Sequence, residues 1–164
     1  MSTTRNLALL ILGASVAALA GAFFAQYAMG LAPCPLCLYQ RYPYAATIVL
    51  GALALAGRGG WPLLAIALAG VVFAGEAGLA FYHVGVEQHW WAGLDACAQA
   101  GATPGTVDEL RTLLLDEPPP PPCDQVPWSL FGVSMAGYNM LLAAVMAGTI
   151  LTGAAMLYRK ARSE

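Results

Sequence analysis

Hydrophobic positions occur in four long stretches, separated by short polar segments and by one long polar loop. The stretches cover approximately residues 7–31, 42–57, 61–83 and 135–158. About 20 apolar residues in a helix span the hydrocarbon core of a bilayer, and backbone groups in lipid must be hydrogen-bonded internally. The pattern therefore predicts an all-α membrane protein, a four-transmembrane-helix bundle that forms a single domain over residues 1–164.

The polar segments predict two loops at the same end of the bundle, at about residues 32–41 and 84–134. In the second loop, Thr106-Val107-Asp108-Glu109 has the form of a capping box and opens an apolar periodicity that ends at Leu115. This predicts a short surface helix, which lies either on the membrane or on top of the bundle. The run Pro118–Pro122 favours polyproline II, as either a semi-rigid strut or a passive linker.

Composition agrees with a membrane protein. Of the 164 residues, 59% are hydrophobic and 10% are charged, which is too little charge to cover a soluble surface. Arg5 followed by an apolar run is also the form of a cleaved signal peptide, whose apolar core usually has about 7–15 residues. The run at 7–31 is longer, so we expect it to be retained as a helix.

The distribution of basic residues predicts the orientation. With four spans, both termini and the turn at 57–60 share one side, which holds five of the seven basic residues. These five are Arg5, Arg58, Arg159, Lys160 and Arg162. Because Lys and Arg are enriched in cytoplasmic segments, the termini are predicted to be cytoplasmic. The cysteines then lie on the opposite, oxidising side, where disulfides persist.

Four cysteines carry the candidate chemistry. Cys34 and Cys37 form a Cys-x-x-Cys pair, in which the first thiol often has a lowered pKa. A zinc site usually needs two closely spaced pairs, whereas Cys97 and Cys123 are far apart. Two structural disulfides are a second interpretation, although a bridge within Cys-x-x-Cys closes a loop too small to stabilise much. A third is a relay of two dithiols in series, which passes electrons by thiol–disulfide exchange.

Arg41 follows Cys37 by one helical turn, so its guanidinium is expected near that sulfur. A fixed positive charge there would favour the thiolate and would polarise a quinone carbonyl. The alternative is an interfacial arginine that reaches lipid phosphates.

These residues resemble a known family. The segment Cys34-Pro-Leu-Cys37-Leu-Tyr-Gln-Arg41 is similar to the redox motif of the DsbB family, membrane proteins that form disulfides. The similarity continues in Tyr82-His83-Val84-Gly85-Val86-Glu87, and after Cys123 in Trp128, Leu130-Phe131-Gly132-Val133-Ser134-Met135 and Tyr138-Asn139. It covers nearly the whole chain, whereas the run Pro118–Pro122 departs from the family pattern.

The resemblance implies a protein-disulfide:quinone oxidoreductase of the bacterial inner membrane. Such an enzyme reoxidises a periplasmic DsbA-like protein of thioredoxin fold and passes two electrons to ubiquinone or menaquinone. By resemblance, the partner attacks Cys97, the released Cys123 attacks Cys34, and Cys37 becomes the thiolate that reacts with quinone. Arg41 and His83 would bind the quinone headgroup. Neither a metal nor a nucleic-acid partner is implied.

Three ionisable residues keep alternative interpretations. His83 is either a quinone ligand or an interfacial histidine bonded to backbone. Glu76, inside the third stretch, either serves a proton route to quinone or is a protonated carboxyl bonded to a neighbouring helix. Glu87 is expected to be solvated at the membrane interface.

Two rival functions are also compatible with parts of the pattern. A vitamin K epoxide reductase-like quinone reductase is a similar redox bundle, but its loop cysteines would precede the Cys-x-x-Cys pair. A tetraspanin-like scaffold would use all four cysteines in structural disulfides and would have no redox activity. A small-molecule exporter would need more polar residues within the spans than Glu76 supplies.

Overall fold

The computed structural model is mostly helical and describes residues 2–99, 105–108, 111 and 120–163. Within these residues the helices are α1 (Ser2–Tyr27), α2 (Pro35–Tyr39), α3 (Arg41–Ala56), α4 (Trp61–Glu87), α5 (Asp95–Gln99) and α6 (Met135–Ser163). A short antiparallel hairpin, β1 (Ser129–Leu130) and β2 (Val133–Ser134), precedes α6.

Among the described residues, the three helices α1, α4 and α6 are long and apolar enough to cross a membrane. This confirms a membrane-embedded helical protein. The fourth predicted span corresponds to α3, which has only 16 residues. At a rise of 1.5 Å per residue it measures about 24 Å, less than a hydrocarbon core of about 30 Å. Gln40 joins α2 to α3 in right-handed helical conformation, which lengthens the helical path, and a count of four spans stays a prediction.

The bundle has an apolar core that also contains a few polar groups, and its outer surface is apolar as well. The most extensive helix interface joins α4 to α6, and α3 packs against both α1 and α4. Inside, the hydroxyls of Ser15 and Thr47 lie 2.7 Å apart and link α1 to α3. Outward-facing positions include Phe24, Val71 and Val145. This arrangement suits lipid, because lipid offers no hydrogen bonds to a polar side chain.

Two predictions for the long loop fall mostly outside the described residues. Of the predicted surface helix, positions 107–108 and 111 are helical, while 109–110 and 112–115 lie outside the description. In the proline run, residues 118–119 lie outside it as well, and Pro120–Pro122 belong to neither a helix nor a strand. The surface helix and the polyproline strut therefore stay predictions.

Candidate redox site

The Cys-x-x-Cys pair forms the start of α2. Cys34 is the N-cap residue, and its Sγ accepts a hydrogen bond from the backbone N–H of Cys37 at 3.2 Å. Pro35 occupies the first helical position, where its fixed φ fits and its missing N–H is not needed. This turn brings the two sulfurs to 2.8 Å, with the Cys34 thiol donating to the Cys37 sulfur. The local sequence thus builds a paired dithiol.

The two thiols differ in acidity. Donation to Cys37 raises the pKa of Cys34, and burial raises it further. The same hydrogen bond lowers the pKa of Cys37 against the opposing effect of its burial. The charge of Arg41 also lowers the pKa of Cys37, whereas the charge of Glu87 raises it. The direction of the hydrogen bond therefore favours a thiolate at Cys37 and not at Cys34, the first cysteine of the pair.

His83 connects the dithiol to the end of α4. Its Nε2 lies 3.5 Å from Cys34 Sγ, and its Nδ1 lies 3.3 Å from Oε1 of Gln40. An amide oxygen only accepts hydrogen bonds, so in the tautomer that carries its hydrogen on Nδ1 the Nε2 lone pair faces Cys34. The main chain of Cys123 also approaches the imidazole. His83, which is 2% exposed, therefore lies between the dithiol, Gln40 and the main chain of Cys123 in a dry environment.

The second cysteine pair is a disulfide that belongs to the same buried cluster as Cys34. Cys97 and Cys123 are bonded, with Cα atoms 5.2 Å apart and side chains that are 4% and 1% exposed. With Cys34, Leu36 and Val86 they form one buried cluster, in which α5 contacts α2. The predicted loop cysteines are therefore covered, and both are held in the disulfide.

Trp91 fixes the chain between α4 and Cys97. Its Nε1 donates to the Tyr82 carbonyl at 2.9 Å, and the Tyr82 and Trp91 rings stack with centroids 5.9 Å apart. The indole lies over Gly85, where a Cβ would come within 2.0 Å of the ring. Only glycine leaves this space, so the residue type at position 85 sets the course of the loop towards α5.

A cavity of about 400 Å³ opens beside the dithiol, between α1, α3, α6 and the segment around Pro121. Its volume is within the range of about 300–1,000 Å³ common for small-molecule sites. The α1 wall carries small residues, among them Ala18, Gly21 and Ala22, which leave room for a ligand. The cavity is therefore a largely apolar chamber with reactive sulfur at one side.

Polar groups converge on this chamber from three helices: Cys37 from α2, Arg41 and Tyr44 from α3, and His83 and Glu87 from α4. The Arg41 guanidinium stacks over the Phe23 ring, with Cζ 4.9 Å from the centroid. Its buried Nε has no hydrogen-bond partner among the described residues. A flat ring with carbonyl acceptors suits such a wall, because the guanidinium supplies donors and a positive charge.

Of the ionisable residues, Glu87 differs most from its expected environment. Instead of being solvated, it is 8% exposed and lines the chamber. The hydroxyl of Ser134 at the start of α6 donates to Glu87 Oε2 at 2.5 Å. The sequence held a signal for this position, since Glu87 follows His83 by four residues and therefore shares its helix face.

Glu76 is bonded to a neighbouring helix, as one of its two interpretations required. The side-chain amide of Asn139 on α6 donates to Glu76 Oε1 at 2.6 Å. Asn139 in turn accepts a hydrogen bond from the Tyr44 hydroxyl on α3. These contacts make Glu76 part of a polar link between three helices, which the sequence did not reveal because Asn139 is distant along the chain.

Comparison with known proteins gives one family. A model described as "Disulfide bond formation protein DsbB" matches residues 4–153. A protein named "Disulfide bond formation protein B" from Xanthomonas axonopodis pv. citri is 34% identical over 134 residues, 75% of this chain and 74% of that protein. One of the same name from Verminephrobacter eiseniae is 31% identical over 168 residues, 99% of this chain and 92% of its own. The comparison with solved structures gives no significant match.

Proposed function

This chain belongs to the DsbB family of disulfide bond formation proteins, and from this we propose that it oxidises a DsbA-like thiol protein and passes the electrons to membrane quinone. Family membership makes it a disulfide-forming oxidoreductase of oxidative protein folding. The observation that carries the relay is the single buried cluster containing Cys34, Cys97 and Cys123. Because the two cysteine pairs belong to one cluster, disulfide exchange between them would need no large movement of the bundle.

Electrons enter at the Cys97–Cys123 disulfide. A thiolate of the partner attacks Cys97 Sγ, a mixed disulfide forms, and Cys123 leaves with the electron pair of the broken bond. The approach of the partner must open α5, because Cys97 is only 4% exposed. Opening a five-residue helix is a local event that leaves the long helices packed.

The next exchange moves the electrons to the chamber. The Cys123 thiolate attacks Cys34 of an oxidised Cys34–Cys37 pair, and Cys37 leaves with the electron pair of the broken bond and takes up the proton that the first thiol of the partner gave up. The second thiol of the partner then displaces Cys97 from the mixed disulfide. Cys97 attacks Cys123, which breaks the Cys34–Cys123 bond and releases Cys34 as a thiol. The product has Cys97 bonded to Cys123 and thiols at Cys34 and Cys37, the same bonding as in the structure.

Quinone is the proposed electron acceptor. When bound, quinone would accept two electrons and two protons. Re-formation of the Cys34–Cys37 disulfide releases two electrons and two protons from the sulfurs. Arg41 would bind a carbonyl oxygen and hold the Cys37 sulfur ionised. Nε2 of His83 would take the proton from Cys34 as that sulfur attacks.

We place the protein in the bacterial inner membrane with both termini cytoplasmic and the cysteines periplasmic. The support is the excess of Lys and Arg near the termini and the turn at 57–60. The ends of α1 and α4 meet the starts of α3 and α6 at the cysteine end of the bundle.

The proposal is tested with purified protein, a reduced DsbA-like protein and a soluble ubiquinone analogue. We expect partner oxidation coupled to quinol formation, and loss of quinol formation in Cys37→Ser. A partner variant with only its attacking cysteine should form a persistent mixed disulfide at Cys97, identified by peptide mass spectrometry. Cys97→Ala should not form it.

A matched pair of arginine variants separates the quinone step from general damage. Arg41→Gln should weaken quinone reduction, whereas Arg58→Gln, in the turn at the opposite end of the bundle, should not. Quinol formation that survives both Cys34→Ser and Cys37→Ser would overturn the proposal and favour a scaffold with structural disulfides.

A further inference from the structure

A buried carboxyl lines the same chamber as the Cys37 sulfur, and the steps above leave it unused. Glu87 lies at the last position of α4, is 8% exposed, and lines the cavity that also contains Cys37 and Arg41. A carboxylate in so dry a place is costly unless it is paired or takes up a proton. Its surroundings decide which of these applies.

The hydrogen bonds of Ser134 fix the role of one carboxyl oxygen. The Ser134 hydroxyl oxygen accepts from the backbone N–H of Gly137 at 3.1 Å, and its hydrogen is directed to Glu87 Oε2 at 2.5 Å. Oε2 is therefore an acceptor, and a proton on this carboxyl resides on Oε1. This bond holds the carboxyl at the chamber in both protonation states.

The chamber has no net charge when Cys37 and Glu87 share one proton between them. The titratable and charged groups that line it are Cys34 and Cys37 at the start of α2, Arg41 and Tyr44 from α3, His83 and Glu87 from α4, and Tyr138 from α6. One ionised acid beside Arg41 gives a neutral site, whereas ionisation of both Cys37 and Glu87 leaves an excess negative charge in an apolar chamber. For this reason the negative charge of Glu87 raises the pKa of Cys37.

We propose that Glu87 is the proton store of the chamber: it takes the proton that Cys37 releases on ionisation and keeps it beside the bound electron acceptor. In this step the S–H bond of Cys37 breaks, an O–H bond forms on Glu87, and no electrons move. This deepens, and rests on, the proposed thiol:quinone oxidoreductase.

The store completes the proton balance of dithiol oxidation. Closing the Cys34–Cys37 disulfide removes two electrons and two protons from the sulfurs. The proton of Cys37 reaches the quinone oxygens from Glu87, and the proton of Cys34 reaches them by way of His83. Glu87 ends the cycle as the carboxylate with which it began, so no additional reactant is required.

The first test needs no quinone. The full-length protein, with the Cys34–Cys37 pair reduced, is alkylated over a range of pH, and modification of Cys37 is read by peptide mass spectrometry. Glu87→Gln keeps the shape and the acceptor for Ser134 but cannot hold the proton. We expect its Cys37 profile to shift to lower pH, because the competing negative charge is gone, while the control Glu76→Gln follows the wild-type profile.

Infrared difference spectra of the same samples provide a second readout. Ionising Cys37 in wild-type protein should produce a carboxylic-acid C=O band that Glu87→Gln lacks and Glu76→Gln retains. With partner and quinone analogue present, Glu87→Gln should slow quinol formation on the order of 10²-fold, as expected for a lost proton donor. Glu87→Asp should restore part of the rate.

The outcomes separate this inference from the function on which it rests. A Glu87→Gln profile that overlays wild type, with no carboxyl band in either, would reduce Glu87 to a link between α4 and α6. Quinol formation that still required Cys37 would in that case leave the proposed function standing. Loss of the cysteine requirement would instead overturn both.

Discussion

The indole of Trp91 covers Gly85 so closely that a Cβ at position 85 would lie 2.0 Å from the ring. Gly85→Ala must therefore displace Trp91 and its hydrogen bond to the Tyr82 carbonyl. We expect a loss of about 1–3 kcal/mol, typical of overpacking, and faster mixed-disulfide formation at Cys97 as the loop loosens. Thermal unfolding and trapping kinetics measure both. Gly78→Ala on the same helix meets nothing within 4 Å and should show neither effect.

Arg41 and Glu87 should move the acidity of Cys37 in opposite directions. The pKa of Cys37 lies below its ordinary value of 9.0, and the positive charge of Arg41 contributes to that lowering. Arg41→Gln should therefore raise the pKa, and the alkylation profile of Cys37 should shift to higher pH. Arg58→Gln serves as the control. A shift to lower pH in Arg41→Gln would contradict the placement of the guanidinium beside the thiolate.

Replacing His83 should slow only one step of the reaction, the closure of the Cys34–Cys37 disulfide. With Nε2 at 3.5 Å from Cys34 Sγ, it is placed to accept the proton of that thiol. His83→Gln should slow closure of the Cys34–Cys37 disulfide by about 10²–10⁴-fold, the usual contribution of a general base. Single-turnover quinol formation measures this step, and trapping of the partner at Cys97 measures the earlier one. The exposed His89, replaced by Gln, should leave both unchanged.

The link from Tyr44 through Asn139 to Glu76 is expected to hold helices together and to carry no protons. Asn139→Ala should lower the free energy of unfolding by about 0.6–1.7 kcal/mol, the measured range for polar contacts between membrane helices. Glu76→Gln, which still accepts from Asn139, should keep the wild-type rate of quinol formation. A large fall in that rate would contradict this expectation and support a proton route through Glu76.

The sequence was most informative about features that depend on residues close together in the chain. Apolar length predicted the helices, and the Cys34–Cys37 spacing predicted a dithiol, because each depends on neighbouring residues. The burial of Cys97 and Cys123 depends on Leu36 and Val86 from other elements, so the sequence of the loop alone did not predict it.

Hydrogen-bond direction explains the remaining differences. Which thiol ionises depends on whether Cys34 donates to Cys37 or accepts from it, and spacing does not specify this. Glu87 looked solvated because it follows the third apolar stretch, yet α4 continues to that residue and Ser134 meets it there. Long-range partners thus decided the chemistry of a site whose residues were visible in the sequence.

The covered disulfide makes the protein a selective oxidant. Cys97 and Cys123 lie beneath neighbouring side chains, so a small thiol in solution reaches them only during rare local opening. A folded partner can supply the opening free energy through its own contacts with the α5 segment. Under the proposed function, membrane quinone would therefore oxidise only those thiol proteins that bind the α5 segment and open it.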